Sequence, residues 1–417
     1  MADATRVPED RLRVLFITAW HPTARRPAVG VFVREHARAV QQYADVVVLH
    51  CAGADLLARG LWRVWREDDP ALTAGIPTYR VAHRDLAIPG VTSLSYIWSA
   101  IRAAGEVAAE GFEPDIIHAH IYEAGVPAVL FGRRRRIPVI ITEHSSDFPR
   151  RRLPPLQVLK ARFAFARAER VLPVSQALKR SIEQHGISSR FTVVPNAVDT
   201  DLFRPLPELH RPAAPHRLLY VGSLIPVKGL DLLLRALGKL RSLREDWHLD
   251  VMGDGSERAA YRALSEELGL HGCVTFRGQG SKTDVAGLMA HADLLVVPSR
   301  WDNAPCVIIE AMACGLPVLA TRVGGIPELV TDEIGALVPG EDVDQLAAGV
   351  DAMLHTLPRI DRRIIRQRAE RYSLSSVGND LRMIYEEVIA QRSAADPARA
   401  GRQPVAGTSD VRQEPGP

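Results

Sequence analysis

Short apolar runs, many of them β-branched, alternate with longer amphipathic stretches along most of the chain. Such runs are typical of buried parallel strands joined by helices. In the first half the pattern predicts strands at Arg13–Thr18, Val46–Leu49, Ile116–His120, Val139–Thr142, Val171–Val174 and Thr192–Val194. After the proline-rich segment Pro205–Pro215 it starts again, with strands predicted at Leu218–Val221, Leu249–Met252, Val274–Phe276, Leu294–Val297 and Val318–Thr321.

The restart predicts an α/β fold with two Rossmann-like, doubly wound parallel-sheet domains. We assign residues 1–207 to the first domain and 208–374 to the second. An amphipathic helix at 375–391 is expected to pack back toward the first domain, and the polar tail 392–417 is expected to be disordered. Two such sheets leave a cleft between the carboxyl ends of their strands, where sheets of this kind bind ligands.

The composition is typical of a soluble globular protein, and the chain is longer than a single hydrophobic core usually supports. The chain has 417 residues, of which 47% are hydrophobic and 24% charged. No apolar run reaches membrane-spanning length, and acidic residues precede the first apolar stretch, unlike a signal peptide. Cytoplasmic residence is therefore the expectation.

Positive charge is concentrated in residues 133–170. This segment holds eleven Arg and Lys against three Asp and Glu, although the whole chain has a formal net charge of only +3. Leu156, Leu159, Phe163 and Ala166 recur there at helical spacing. They could rest on the inner face of an anionic membrane as a peripheral contact, or they could face the protein core, the interpretation we prefer. No nucleic-acid partner is expected.

The four cysteines give no indication of a metal or disulfide site. Cys51, Cys273, Cys306 and Cys314 are scattered and form no Cys-x-x-Cys pair. We expect neither a disulfide framework nor a bound metal.

The most informative segment is Pro298–Gly325, which follows a predicted strand. Asp302 lies just before a helix that Pro305 would begin, and Glu310 lies inside it with seven residues between the two acids. Backbone amides from Ala304 to Val307, a stretch that includes Pro305 and Cys306, would hold a phosphate at the helix start, and Glu310 would accept hydrogen bonds from a ribose diol. On spacing alone, Asp302 could equally be a helix cap and Glu310 a surface residue.

Glycines and one lysine follow the first strands of the second domain. Gly222 and Ser223 come directly after one strand, and Lys228 then precedes a helix, where a lysine can neutralise a diphosphate. Alone, Lys228 would more often be a solvated helix-start residue. Gly253 permits a tight turn beside a ligand, but the third glycine of a dinucleotide fingerprint is absent, which disfavours an NAD enzyme.

The first domain offers fewer candidates. Gly30 lies in the loop after the first strand, where backbone could approach a phosphate. His118 and His120 end a later strand and, being two residues apart, point to the same face. Either histidine could simply satisfy hydrogen bonds in the core.

Together these segments resemble retaining glycosyltransferases of the family-four type, which have the GT-B fold. In that family two acidic residues separated by seven others precede an Ala-Met-Ala-x-Gly run, supplied here by Ala311–Gly315. The family usually has glutamate where this chain has Asp302 and arginine where it has Ser223. The resemblance implies catalytic roles for His120, Asp302 and Lys228, and nucleotide-sugar binding by the glycines, Lys228, the helix start and Glu310.

The resemblance also implies the reaction. We expect transfer of a sugar with retention, without metal or cofactor, from a UDP-sugar rather than a GDP-sugar. The acceptor would be a glycan, lipid-linked or natural-product hydroxyl, with polysaccharide biosynthesis as the setting. The alternatives are an epimerase-like enzyme acting on sugar nucleotides and a catalytically silent sugar-binding homologue.

Overall fold

The computed structural model of the protein describes residues 11–52, 62–83, 91–149, 153–206 and 215–395. Among these residues, the strands of the first half are β1 Leu12–Thr18, β2 Ala44–Ala52, β3 Trp62–Glu67, β4 Thr78–His83, β5 Ile116–His120, β6 Val139–Glu143 and β7 Arg170–Pro173. Those of the second half are β8 His216–Val221, β9 Trp247–Met252, β10 Val274–Gly278, β11 Leu294–Val297, β12 Val318–Thr321 and β13 Gly335–Val338.

Helices connect most of these strands. Those of the first half are α1 Val31–Gln41, α2 Pro70–Thr73, α3 Val91–Ala109, α4 Tyr122–Arg135, α5 Pro155–Phe165 and α6 Gln176–Gln184. Those of the second half are α7 Leu230–Leu240, α8 Arg258–Glu267, α9 Lys282–His291, α10 Cys306–Ala313, α11 Val343–Thr356, α12 Arg362–Ala369 and α13 Leu374–Ala395. Short 3-10 turns lie at Pro226–Lys228, Ile326–Glu328, Leu357–Arg359 and Glu370–Tyr372.

The strands form two separate sheets, which confirms the predicted fold class. The first has the order β3-β4-β2-β1-β5-β6-β7 and the second the order β10-β9-β8-β11-β12-β13. Neighbouring strands pair in parallel except β3 and β4, which are antiparallel. The predicted domain boundary between residues 207 and 208 lies outside the described residues.

One predicted strand is wrong and three strands escaped prediction. Thr192–Val194 has no strand of its own, because this stretch only follows the edge of β7 and Phe191 forms a single bridge with Val171. The missed strands are β3, β4 and β13. The sequence of β3, WRVWRE, contains three apolar and three charged residues, as suits a half-exposed edge strand rather than a buried run.

Both faces of the first sheet are covered by helices. Residues of α3, α4, α5 and α6 form the core on one face, and those of α1 and α13 form the core on the other. In the second sheet α9, α10 and α12 cover one face and α7, α8 and α11 the opposite face. Each sheet therefore has its own core, as two doubly wound domains require.

Helix α13 returns to the first domain and packs on α1. A Cβ atom added to Gly378 would lie 2.3 Å from the carbonyl oxygen of Ala39, so glycine allows the two backbones to approach closely. The helix runs to Ala395, beyond the predicted end at residue 391, because Arg392 forms an ion pair with Glu169 and alanine favours helix. The rest of the predicted tail, 396–417, lies outside the described residues.

A search of the described helices for membrane-spanning candidates finds none that combines sufficient length with sufficient apolar character.

The α1–α13 contact gives a direct test of the fold. Gly378→Ala should lower the free energy of unfolding by about 1–3 kcal/mol, because the new methyl group overlaps the Ala39 carbonyl. Gly105→Ala in α3 is the control, since no atom lies within 4 Å of its added Cβ, and it should stabilise by about 0.5–1 kcal/mol. Urea unfolding measures both, and equal effects would contradict the close approach.

Candidate active site

The candidate active site lies where the carboxyl ends of the two sheets face each other. In each sheet the strand order reverses beside the first strand, with β1 between β2 and β5 and β8 between β9 and β11. Ligands of doubly wound sheets bind at such switch points. His120 ends β5, while Gly222 follows β8 and Asp302 follows β11. The structure thus brings the main predicted residues to the facing edges.

A buried asparagine joins the two edges. The Nδ2 atom of Asn303 donates hydrogen bonds to the carbonyls of His144 and Ser145, each at 2.9 Å. The following residue, Ala304, packs into the core of the first domain, and its carbonyl accepts a hydrogen bond of 2.8 Å from Asn196. These contacts fix the segment before α10 beside the histidines of the first domain.

Two of the predicted catalytic residues form an ion pair. Lys228 ends the 3-10 turn Pro226–Lys228, and its Nζ atom lies 2.5 Å from Oδ2 of Asp302. Both side chains are partly exposed, at 30% for Lys228 and 15% for Asp302. The pair therefore places one positive and one negative group at the cleft, each within reach of a ligand.

Arg300, which sequence reasoning missed, positions the turn that carries Lys228. Its guanidinium donates to both carboxylate oxygens of Asp231, at 2.8 and 2.7 Å, and to the carbonyl of Pro226 at 2.6 Å. The backbone amide of Arg300 also donates to the carbonyl of Val227 at 2.8 Å. The sequence could have indicated Arg300, because it is a charged residue two positions before Asp302 in the segment Pro298–Gly325.

The structure gives reasons other than ligand binding for glycine at some of the predicted positions. Gly253 has φ +149°, and a Cβ there would lie 1.9 Å from the carbonyl oxygen of Gly222. Gly30, with φ +72°, would place a Cβ 2.3 Å from the carbonyl carbon of Trp20. Ser223 is exposed on the loop after β8. Close packing of backbone against backbone thus explains Gly30 and Gly253 without a ligand, whereas a Cβ at Gly222 would meet only the side chain of Tyr220, its hydroxyl at 3.3 Å.

Glu310 is buried in α10 and forms an ion pair with Lys282, the first residue of α9. Burial by itself lowers the pKa of Lys282, but the Glu310 carboxylate raises it further, so the net pKa is raised. Sequence reasoning missed Lys282. Its signal is a cation in the first turn of a helix, which the helix dipole disfavours unless a carboxylate lies nearby.

The start of α10 differs from its prediction. Pro305 is the N-cap residue with extended backbone rather than part of the first turn, and proline has no amide hydrogen to donate. Ala304 and Pro305 are also buried. The donors at this helix end are therefore the amides of Cys306 and Val307, and burial raises the pKa of the Cys306 thiol to about 12.

The two histidines of β5 have different surroundings. His118 uses both ring nitrogens, at 2.7 Å from the Tyr385 hydroxyl and 2.6 Å from the Thr142 hydroxyl. His120 contacts Nε2 of His144 through Nδ1 at 3.1 Å, and its own Nε2 has no hydrogen-bond partner. His120 is therefore the one of these two histidines whose ring keeps an unpartnered nitrogen, and that nitrogen is buried in the free protein.

His120 belongs to a cluster of buried imidazoles. His36, His120 and His144 each offer one nitrogen, and these three atoms lie within 4.8 Å of one another, a set that could hold a metal ion. Burial lowers the pKa of His36 to about 4 and the pKa values of His120 and His144 well below their usual range. All three are therefore neutral imidazoles at physiological pH.

Two features lie next to the imidazole cluster: a strained backbone conformation at Ile121 and the buried carboxyl group of Glu143. Ile121, next to His120, has φ +68°, a conformation that a β-branched residue adopts only when its surroundings impose it. Glu143 accepts hydrogen bonds from the amides of Tyr122, His144 and Ser145 at 2.7–3.0 Å. Burial raises its pKa to about 8 despite these bonds. Glu143 thus fixes the His144 loop to the start of α4.

A buried arginine anchors the loop that leads from β1 to Gly30. Arg80 lies 2.7 Å from Nδ1 of His50 and 3.2 Å from Nδ1 of His21, and it donates to the Pro22 carbonyl at 2.7 Å. A guanidinium only donates, so both histidines accept at Nδ1. Burial, aided by Arg80, lowers the pKa of His50 to about 3. No sequence pattern indicated this cluster.

The chain contains two Asp-x-Asp triplets, and both have structural contacts. Asp199 accepts a hydrogen bond of 2.7 Å from Arg38 and others from nearby amides. Asp342 caps α11, and Asp344 pairs with Lys239.

Two models of known protein families together match most of the chain. Residues 29–202 match the family model described as Glycosyltransferase Family 4, and residues 207–371 match the model described as Glycosyl transferases group 1. The D-inositol 3-phosphate glycosyltransferase of Mycobacterium tuberculosis is 32% identical over 328 residues, which cover 72% of this chain and 68% of that protein.

Solved structures show the same fold at lower sequence identity. Sucrose-phosphate synthase from Thermosynechococcus elongatus has a TM-score of 0.70 at 20% identity, covering 91% of this chain and 100% of that one. Anabaena HepE in complex with UDP also has a TM-score of 0.70 at 20% identity, covering 90% and 100%.

Acidification should destabilise the protein, because the buried histidines bind protons more readily in the unfolded chain than in the folded one. The pKa of His36 drops from 6.5 to about 4 on folding, so its share of stability is present above pH 6.5 and is lost as the pH falls through 4. This linkage corresponds to about 2 kcal/mol between pH 7 and pH 5. His36→Gln, which does not titrate, should lose about 2 kcal/mol less than the wild type over that interval in urea unfolding.

The control for this measurement is His271→Gln, at an exposed histidine of the second domain, which should keep the wild-type pH dependence. Glu143 acts in the opposite direction. Its raised pKa of about 8 gives stability that is complete below pH 4.5 and is lost as the pH rises through 8. Equal slopes for wild type and His36→Gln would contradict a neutral, buried His36.

Proposed function

Because this chain belongs to the group 1 glycosyltransferases, as its segments predicted, we propose that it transfers a sugar from a nucleotide-sugar donor, UDP-sugar first, to an acceptor hydroxyl. The observation that carries the proposal is the meeting of Lys228, Asp302 and Glu310 at one sheet edge with His120 at the facing edge. The transfer retains anomeric configuration and needs no metal or cofactor.

The second domain binds the donor. Lys228 and the amides of Cys306 and Val307 neutralise the diphosphate, as cations and helix N-termini do for phosphates. Glu310 accepts hydrogen bonds from the ribose hydroxyls. Ser223 brings no charge to the loop where similar proteins usually have arginine, so Lys228 carries a larger share of the leaving-group stabilisation.

The transferred sugar lies between Asp302 and His120. The neutral His120 imidazole offers Nε2 to a sugar hydroxyl, and Asp302 accepts from another. The bond between the anomeric carbon and the diphosphate oxygen breaks, leaving its electron pair on the diphosphate. The acceptor oxygen bonds to the anomeric carbon on the same face and gives its proton to the leaving phosphate oxygen, so that atoms and charge balance.

The acceptor is a glycan, lipid-linked or natural-product hydroxyl, and the setting we favour is cell-surface polysaccharide synthesis in the cytoplasm. A relative named as an inositol-phosphate glycosyltransferase supports a hydroxyl acceptor, and a structural neighbour solved with UDP supports a UDP-sugar donor. An epimerase-like enzyme would turn over the donor without an acceptor. A silent sugar-binding homologue would bind the donor without turning it over.

Nucleotide binding tests the donor site. UDP should raise the melting temperature of the wild type more than GDP does, because ligand binding to the folded state stabilises it. Lys228→Ala, Glu310→Ala and the milder Glu310→Gln should each weaken UDP binding about tenfold or more in calorimetry, a loss of about 1.4 kcal/mol. Lys239→Ala, on the outer surface of the same domain, is the matched control and should bind normally. Unchanged affinity in all three variants would refute the assigned site, and stronger stabilisation by GDP would change the donor.

Chelation tests the proposed metal independence. Transfer from a UDP-sugar, followed by proton NMR that also reports the product anomer, should be unaffected by excess EDTA, because Lys228 and the helix start supply the positive charge. The imidazoles of His36, His120 and His144 give a specific alternative. If EDTA abolishes transfer, Zn²⁺ restores it and His36→Gln abolishes the restoration, the metal-independent mechanism is wrong.

A further inference from the structure

Large apolar side chains are exposed on the helical layer α3–α4–α5 of the first domain. This layer covers one face of the first sheet. We call these side chains the apolar surface, with the exposed fraction of each residue: Leu94 66%, Trp98 47%, Leu130 37%, Leu156 53% and Leu159 62%. Single exposed leucines are ordinary, but a group on neighbouring helices indicates a contact surface.

The three helices hold these side chains in one layer. Helix α4 packs against both α3 and α5. The Nζ atom of Lys160 in α5 donates a hydrogen bond of 2.9 Å to the hydroxyl of Ser93 in α3, next to Leu94. The bond joins the second turn of α5 to the first turn of α3, so the exposed leucines of both helices belong to the same helical layer.

The structure overturns the preferred sequence interpretation of α5. The stripe of Leu156, Leu159, Phe163 and Ala166 was expected to face the core, but the helix buries Ala161, Ala164 and Phe165 instead. Leu156, Leu159 and Ala166 are exposed. Phe163 is partly buried against the core, so core packing explains this residue but not Leu156, Leu159 and Ala166.

Basic side chains flank the apolar surface. Arg133–Arg135 are exposed at the end of α4, and Arg162 is exposed on α5. The guanidinium of Arg167 lies 3.9 Å from the ring centre of Phe163, and that of Arg102 lies 5.4 Å from the ring centre of Trp98. Apolar side chains bordered by arginines fit the acyl and phosphate regions of an anionic bilayer.

We propose that this surface docks on an anionic lipid bilayer, with the apolar side chains at headgroup depth and the arginines against lipid phosphates. Helices α4 and α5 follow the carboxyl ends of β5 and β6, so their first turns lie at the cleft edge. Docking there brings the acceptor side of the cleft to the membrane. The inference goes beyond the proposed transfer reaction, because membrane binding needs no donor and no turnover.

Vesicle sedimentation of the full chain tests the proposal. The probes are vesicles of phosphatidylcholine with and without phosphatidylglycerol, at low and at physiological salt. The wild type should bind the anionic vesicles at low salt, bind them severalfold more weakly at physiological salt, and bind neutral vesicles least, because polybasic attraction is screened by salt.

Two double variants locate the surface, each with a matched control. Leu156→Ser with Leu159→Ser should reduce binding at least tenfold, while Leu243→Ser, at an 80%-exposed leucine of the second domain, should not change it. Arg133→Ser with Arg134→Ser should reduce binding about tenfold, while Arg359→Ser with Arg363→Ser should leave it unchanged. UDP binding, measured in parallel, should be normal in every variant and reports separately on the proposed function.

Three outcomes would overturn the proposal. One is the absence of binding to anionic vesicles at low salt. Another is an equal loss in a surface variant and its matched control. The third is a concentration-dependent dimer in analytical ultracentrifugation that Leu156→Ser with Leu159→Ser abolishes while vesicle binding persists, which would assign the surface to a second copy of the chain.

Discussion

The buried side chain of Asn303 is the contact on which the site depends. Its amide belongs to the second domain, yet it donates to two carbonyls at the end of β6 in the first domain. An amide removed from water at this position costs free energy unless it is paired, so the domains meet in one register. Asp302 and Ala304 flank this residue, so the same contact holds the ion pair of Asp302 with Lys228 and the start of α10 beside the first domain.

Opposite charges accompany each acidic residue that faces the proposed donor. Asp302 pairs with Lys228, and Glu310 pairs with Lys282. A diphosphate arriving at Lys228 and a ribose arriving at Glu310 would therefore replace an existing partner rather than meet a bare buried charge. In the free protein, each carboxylate is already paired with a lysine, which limits the cost of removing it from water. Donor affinity therefore depends on how much more strongly these side chains bind the donor than they bind each other.

The sequence predicts what depends on local pattern and misses what depends on tertiary pairing. Buried parallel strands produce long apolar runs, so β1, β5, β8 and β11 and the residues at their ends could be predicted. The edge strand β3 is half charged, so it forms no apolar run and was not predicted. Lys282 acts through Glu310, twenty-eight residues away, and Arg80 acts through histidines of two other segments. Their partners meet only after the sheets form, and no spacing rule connects them. The proline at the start of α10 shows a smaller limit, since pattern locates a helix end only to within a residue or two.

The two faces of the first sheet differ in a way that bears on the acceptor. One face of the sheet is covered by α1 and by α13, a helix that follows the second domain in the sequence and packs back on the first. On the other face α3, α4 and α5 have no such cover in the described part of the chain, and their outward side is apolar near the cleft and basic at the end of α4. A domain that receives an acceptor anchored in lipid requires that edge to approach the bilayer. The proposed docking on a bilayer would therefore bring a lipid-linked acceptor, one of the three proposed classes, to this edge.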